Sequence, residues 1–196
     1  MKKSFIFLIC CIFTVATKAQ TAAGNMMIGG TLAYTFDSYS GGGSKANSTY
    51  FSPSFGYFVS DNLAIGGALS ISSSSTDSGA GVLKSSSFGI GPFARYYKYT
   101  ANEDFAFFGD VSILYSAGSQ DNTAGGKTKS SFVSFDVSPG FAYFLTDHWG
   151  IELSTSLLSV YSRDPDKDVN DNNNTSVRFG LTSFSPAIGI RYHFGN

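Results

Sequence analysis

Large apolar side chains recur at every second position over residues 28–36. Ile28, Leu32, Tyr34 and Phe36 share a face with Gly30, while Gly29, Thr31, Ala33 and Thr35 occupy the other. A period of two marks a strand with one apolar face. The pattern returns with Phe51, Pro53, Phe55, Tyr57 and Val59 opposed by Ser52, Ser54 and Gly56, then with Leu63, Ile65, Leu69 and Ile71 opposed by Ala64, Gly66, Ala68, Ser70 and Ser72. Similar segments over 84–99, 104–117, 130–145, 149–162 and 177–194 bring the prediction to eight antiparallel strands. The connections alternate between short turns at 60–62, 98–104 and 146–148 and long polar stretches at 37–47, 73–83, 118–129 and 163–176.

The non-apolar face carries Gly, Ala and Ser rather than Lys and Glu, so it does not read as a surface meant for water. Small residues suit the crowded interior of an eight-stranded barrel, and large apolar ones suit an exterior bathed in hydrocarbon. The predicted fold is therefore all-β: an eight-stranded antiparallel up-and-down transmembrane β-barrel, short turns towards the periplasm and long loops outside. Aromatics gather at both strand ends as headgroup belts: Tyr57, Tyr96, Tyr143, Trp149, Tyr192 and Phe194 at the turns, and Tyr34, Phe36, Phe51, Tyr115 and Phe135 at the loops. A repeat reinforces the register, since residues 52–61 recur as 138–147, with Pro53 and Pro139 matched by Pro92 and Pro186 in two further strands. Proline removes a ladder donor, which predicts a bulge or bend at each of the four.

The first residues follow a different logic. Lys2 and Lys3 precede an apolar run from Phe5 to Val15 and a small-x-small site at Thr17–Ala19, so residues 1–19 are expected to be a cleavable signal peptide and 20–196 the barrel domain. The run is too short for a spanning helix. Both cysteines, Cys10 and Cys11, lie inside it, leaving a mature chain without disulfides, thiolate metal sites or cysteine nucleophiles. Removal of Lys2, Lys3 and Lys18 from the 13 basic residues leaves 10 against 14 acidic, a net charge of −4 that disfavours nucleic acid.

At the other end Ile188, Ile190, Tyr192 and Phe194 alternate with Ala187, Gly189, Arg191 and His193. The ending Gly189-x-x-Tyr192-x-Phe194 resembles the C-terminal assembly signal of outer-membrane barrels. Together with the export signal and the strand count, it makes residues 21–194 similar to the outer membrane protein beta-barrel domain family, the OmpA-like and OmpX-like barrels often labelled porin-like. Ala187 and the trailing Gly195-Asn196 depart from the usual ending. The resemblance implies residence in the bacterial outer membrane, with lipid and the barrel assembly machinery as partners and a monomeric state.

Alternation points Arg95, Asp110, Asp136, Glu152, Arg191 and His193 inward. Counting heights along neighbouring strands predicts two ion pairs, Arg95 with Asp110 and Glu152 with Arg191, because charges inside a barrel need partners. His148 and His193 both fall at the periplasmic end, away from the outer rim, so no nucleophile–histidine–acid group is expected to assemble there and no catalysis is expected. The spacing of Asp164, Asp166, Asp168 and Asp171 begins like a calcium loop, but Val169 and Thr175 stand where the motif needs its glycine and its bidentate glutamate. A solvated acidic loop is the expectation, with at most weak calcium binding and no cofactor. The leading functional expectation is a structural or surface-interaction barrel acting through its extracellular loops, with an extracellular loop partner; the alternatives are a small porin-like channel and a soluble lipocalin-like ligand carrier.

Overall fold

A computed structural model describes residues 19–38, 44–79, 81–122, 126–165, 174–180 and 187–195. Among the described residues, after the 3-10 turn Ala19–Thr21 every regular element is a strand: β1 (Met26–Ser38), β2 (Lys45–Ser60), β3 (Leu63–Asp77), β4 (Val82–Tyr99), β5 (Phe105–Asn122), β6 (Lys127–Phe144), β7 (Trp149–Ser154), β8 (Leu158–Asp164), β9 (Asn174–Phe179) and β10 (Ala187–Phe194). Antiparallel pairing runs in chain order from β1 to β6, then from β6 to β7, from β7 to β10 and from β10 back to β1. β8 continues the edge of β6, and β9 pairs with β8. The result is an all-β sheet curled as a barrel, with the predicted inside and outside faces.

Among the described residues ten strands stand where eight are expected, because two predicted segments each appear as two elements. The stretch expected over 149–162 is interrupted after Ser154. There the pairing with β6 slips by one residue, from Gly140↔Ser154 to Val137↔Leu158, opposite Pro139. The stretch expected over 177–194 is described as β9 and β10, and residues 181–186 between them lie outside the described residues. Pro139 thus sits at an irregularity, as its missing N–H would suggest. Pro53 and Pro92 do not: pairing lapses beside each, yet the register on either side is unchanged. At Pro53 the neighbouring Ser52 hydroxyl donates to Leu69 O at 2.7 Å, so that carbonyl keeps a partner without a bulge. Pro186 lies outside the described residues, as does the predicted signal segment apart from Ala19.

The larger correction concerns the connections. Residues 73–83 and 118–129, expected as long loops, are mostly strand: β3 runs to Asp77 and β4 starts at Val82, while β5 runs to Asn122 and β6 starts at Lys127. These segments have polar residues on both faces, so no apolar period announces them, but the ladder holds regardless. Ser72 and Ser87 share a hydrogen bond of 2.7 Å across β3 and β4 near the start of this polar extension.

Outside, Ile28, Leu32, Phe55, Ile65, Ile90 and Ile113 are all about half exposed, forming the apolar band that hydrocarbon would cover. Below it Trp149, Tyr192 and Phe194 stack in sequence, with ring centroids 4.9 and 6.0 Å apart. Val111 lies on the same face of β5, midway between Phe107 and Tyr115. Val111→Lys is therefore expected to lower folding stability in a bilayer by about 2–4 kcal/mol. Urea titration in lipid vesicles measures this, and an unchanged midpoint would mean that the face does not meet hydrocarbon.

Inside, the packed core is confined to the turn-bearing end: Met27, Phe58, Tyr97, Phe108 and Phe144 are buried together. The small residues between strands make this possible. A Cβ on Gly66 would stand 2.7 Å from Gly56 Cα and 2.8 Å from the Phe93 ring. The N-terminal segment closes over the same end, with Thr21 Oγ1 donating to Asn62 Oδ1 at 2.7 Å and Asn62 N donating to Thr21 O at 2.8 Å. Asn62 makes the β2–β3 turn at φ 65°, a left-handed conformation that asparagine tolerates well.

Candidate functional site

Directly above the aromatic core the inward-pointing charges converge. Arg95 of β4 is in register with Asp110 of β5, and its guanidinium grips both carboxylate oxygens, with Nε to Oδ1 at 2.6 Å and Nη2 to Oδ2. Glu152 of β7 and Arg191 of β10 sit on a diagonal between paired strands, and Arg191 Nε donates to Glu152 Oε1 at 2.9 Å. The two pairs are not separate. Arg95 Nη1 reaches across the interior to both oxygens of Glu152 at 2.7 Å. The Tyr97 hydroxyl donates to Glu152 Oε1 at 3.0 Å and accepts from Arg95 Nη1 at 3.1 Å, while Arg191 Nη1 donates to Ser54 Oγ at 2.9 Å.

Two guanidiniums and two carboxylates make a neutral group, and Arg95, Glu152 and Arg191 are each at most 4 % exposed. Such charges hold their places only when their hydrogen-bonding capacity is met, which this geometry does. The Arg95 guanidinium also lies 4.1 Å from the centroid of the Phe108 ring, so the charged layer rests directly on the aromatic one. Tyr97 belongs to both layers and was not among the candidates read from sequence. Its one signal there is that it lies two residues beyond Arg95, on the same face.

The remaining candidates fall in different places. Asp136 lines the cavity above the charged layer, in register with Ser112 and Ser159. His193 is buried among Phe58, Tyr97 and Phe144, with ring centroids 6.0, 6.1 and 5.4 Å away, and neither ring nitrogen has a hydrogen-bond partner. His148 lies in the β6–β7 turn and its Nδ1 is 3.1 Å from His193 O. Among the described residues no nucleophile–histidine–acid group forms around either. Asp164 ends β8; Asp166, Asp168 and Asp171 lie outside the described residues, and among the described residues no three His, Cys, Asp or Glu side chains gather as metal ligands would. Of the residues expected to form a C-terminal assembly signal, Gly189 faces inward, where a Cβ would come within 3.5 Å of Glu152, while Tyr192 and Phe194 face outward in the aromatic belt.

From the charged layer upward the interior opens into a cavity of about 830 Å³. Its floor is Arg95, Asp110 and Arg191, and its walls rise past Ser72 and Ser134 to Ser85, Gln120 and Ser130 at the loop-bearing ends of β4, β5 and β6. The barrel is thus filled at one end and hollow at the other.

Among solved structures, the chain is similar to Neisserial surface protein A (16 % identity, 88 % of this chain and 98 % of that one, TM-score 0.48). It is similar to the outer membrane protein OprG of Pseudomonas aeruginosa (16 %, 90 % and 99 %, TM-score 0.48) and to the N-terminal β-barrel domain of OprF from the same organism (12 %, 88 % and 98 %, TM-score 0.46). Comparison with curated proteins found no match. The model of the outer membrane protein beta-barrel domain family matches residues 5–194, nearly the whole chain. The chain accordingly belongs to the outer membrane protein beta-barrel domain family, and is a non-catalytic β-barrel protein of the bacterial outer membrane.

Proposed function

We propose that the protein is a closed, non-conducting barrel of eight staves, exported by a signal peptide removed after Ala19, whose outward end serves as an interaction surface. The observation that carries this reading is the two-layer filling of one end, aromatic below and charged above. Eight staves follow from counting β7 with β8 and β9 with β10 as interrupted single strands, and closure is supported by the pairing of β10 with β1. Small barrels of this strand number have interiors that side chains nearly fill, whereas open aqueous pores use about 16–18 strands. The inward ion pairs have a structural role: they replace water in a narrow lumen and tie β2, β4, β5, β7 and β10 together. Lipid surrounds the barrel, the assembly machinery reads its C-terminal strand, and the loops and polar rim meet whatever lies outside.

The polar lining favours a second reading, a small pore. Single-channel recording of the refolded protein in a planar bilayer separates the two, with a heat-modifiable gel shift to establish folding. Folded protein is expected to be silent. Steady, reproducible steps would overturn the closed reading and make the protein a pore. The family match and an exterior apolar at lipid-facing positions weigh against the soluble carrier considered from the sequence.

A further inference from the structure

The cavity above the charged layer has a chemistry of its own. The alternation that places apolar side chains in lipid leaves hydroxyls on the inner wall, and one row of that wall carries more. Asp136 on β6 is in register with Ser112 on β5 and with Ser159 on β8, and Ser159 is in register with Arg178 on β9. The backbones of β6 and β9 are two strand spacings apart, about 10 Å. All four side chains line the cavity, so an acceptor-only group and a donor-only group flank hydroxyls that can do either. Asp136 has no hydrogen-bond or ion-pair partner among the described residues. Ser116, which also lines the cavity, is 1 % exposed with an unpartnered hydroxyl, although buried hydroxyls are ordinarily paired.

The lining excludes three ligand classes. An apolar molecule would strand the hydroxyls without partners. An anion would find Arg95 and Arg191 already committed to carboxylates, and would meet the unneutralised Asp136 carboxylate in the same wall as Arg163 and Arg178. A cation would meet Arg163 and Arg178, which line the same cavity. A neutral, hydroxyl-rich molecule fits: its vicinal hydroxyls donate to a carboxylate and accept from a guanidinium and from serines, while its C–H faces pack on Tyr50, Phe132 or Tyr161. The volume falls within the usual range of small-molecule sites, about 300–1,000 Å³.

We propose that this outward-open cavity binds a short saccharide, held between Asp136 and Arg178 across the serine hydroxyls of that row. The inference rests on the outward orientation proposed above. Asp136 accepts from the sugar, Arg178 donates to it, and the plugged floor stops it from passing through.

Saturation-transfer difference NMR on the refolded protein in detergent tests this, with maltose, sucrose and diacetylchitobiose as ligands and inorganic phosphate as competitor. At least one disaccharide is expected to receive saturation, and phosphate is expected not to displace it. Asp136→Asn, which keeps the shape and removes the charge, is expected to weaken binding about tenfold, the worth of one hydrogen bond to a charged group. Arg178→Gln, at an exposed position that leaves the fold intact, is expected to weaken it similarly. No saturation of any of the three by folded protein would overturn the proposal, as would full displacement by phosphate or wild-type binding by both variants. Channel silence without a sugar signal would sink the saccharide site and leave the closed barrel standing. Channel steps with the sugar signal retained would do the reverse.

Discussion

Glu152→Ala is expected to cost about 3–5 kcal/mol of folding stability, the usual penalty for removing one member of a buried charge group. The carboxylate accepts hydrogen bonds from Arg95, Arg191 and Tyr97, and it is 3 % exposed. Without it, Arg191 retains only Ser54 and Arg95 retains only Asp110 as a charged partner, leaving two guanidiniums facing each other over one carboxylate. The staves are fixed by their ladders, so the interior cannot collapse to relieve them. Urea unfolding in lipid vesicles measures the loss. A change below about 1 kcal/mol, typical of exposed pairs, would show that water reaches this layer and that it does not brace the barrel.

Phe58→Ala should be comparably damaging, at about 3–5 kcal/mol, while Phe55→Ala three residues earlier on the same strand should cost far less. Phe58 is fully buried in the plug beside Tyr97 and His193. Phe55 faces outward and is 47 % exposed, so truncation there leaves no internal cavity. The pair makes a controlled comparison, because both changes remove the same atoms from one strand. Equal losses in the same urea titration would contradict the assignment of inward and outward faces.

The inside and outside of the barrel were legible because hydrocarbon imposes a demand on every second residue, and Ile28 to Phe36 or Phe51 to Val59 answers it directly. Where that demand ends, so does the signal. Residues 73–77 and 118–122 extend β3 and β5 with polar groups on both faces, and such a strand cannot be told from a polar loop by its pattern. The ion pairs were within reach when the partners lie on adjacent strands, as Arg95 and Asp110 do. The bond from Arg95 to Glu152 was not, since it joins residues 57 positions apart across the lumen and depends on side-chain reach rather than on register. Asp136 and Arg178 illustrate the same limit. One was read only as an inward charge and the other drew no notice, because their shared row exists only once β8 is aligned between β6 and β9.

The polar extension of β2 through β6 beyond the apolar band also decides what kind of epitope this protein offers. Some residues adjacent on that rim belong to one hairpin, as Asp77 and Val82 do, but others, such as Lys45 and Asp77 or Leu83 and Asn122, come from separate hairpins and are neighbours only while the ladder is intact. An antibody or receptor that grips it therefore reads a discontinuous, conformational surface. Linear peptides copied from 73–83 or 118–129, or protein heated past unfolding, would present the same letters and none of the shape.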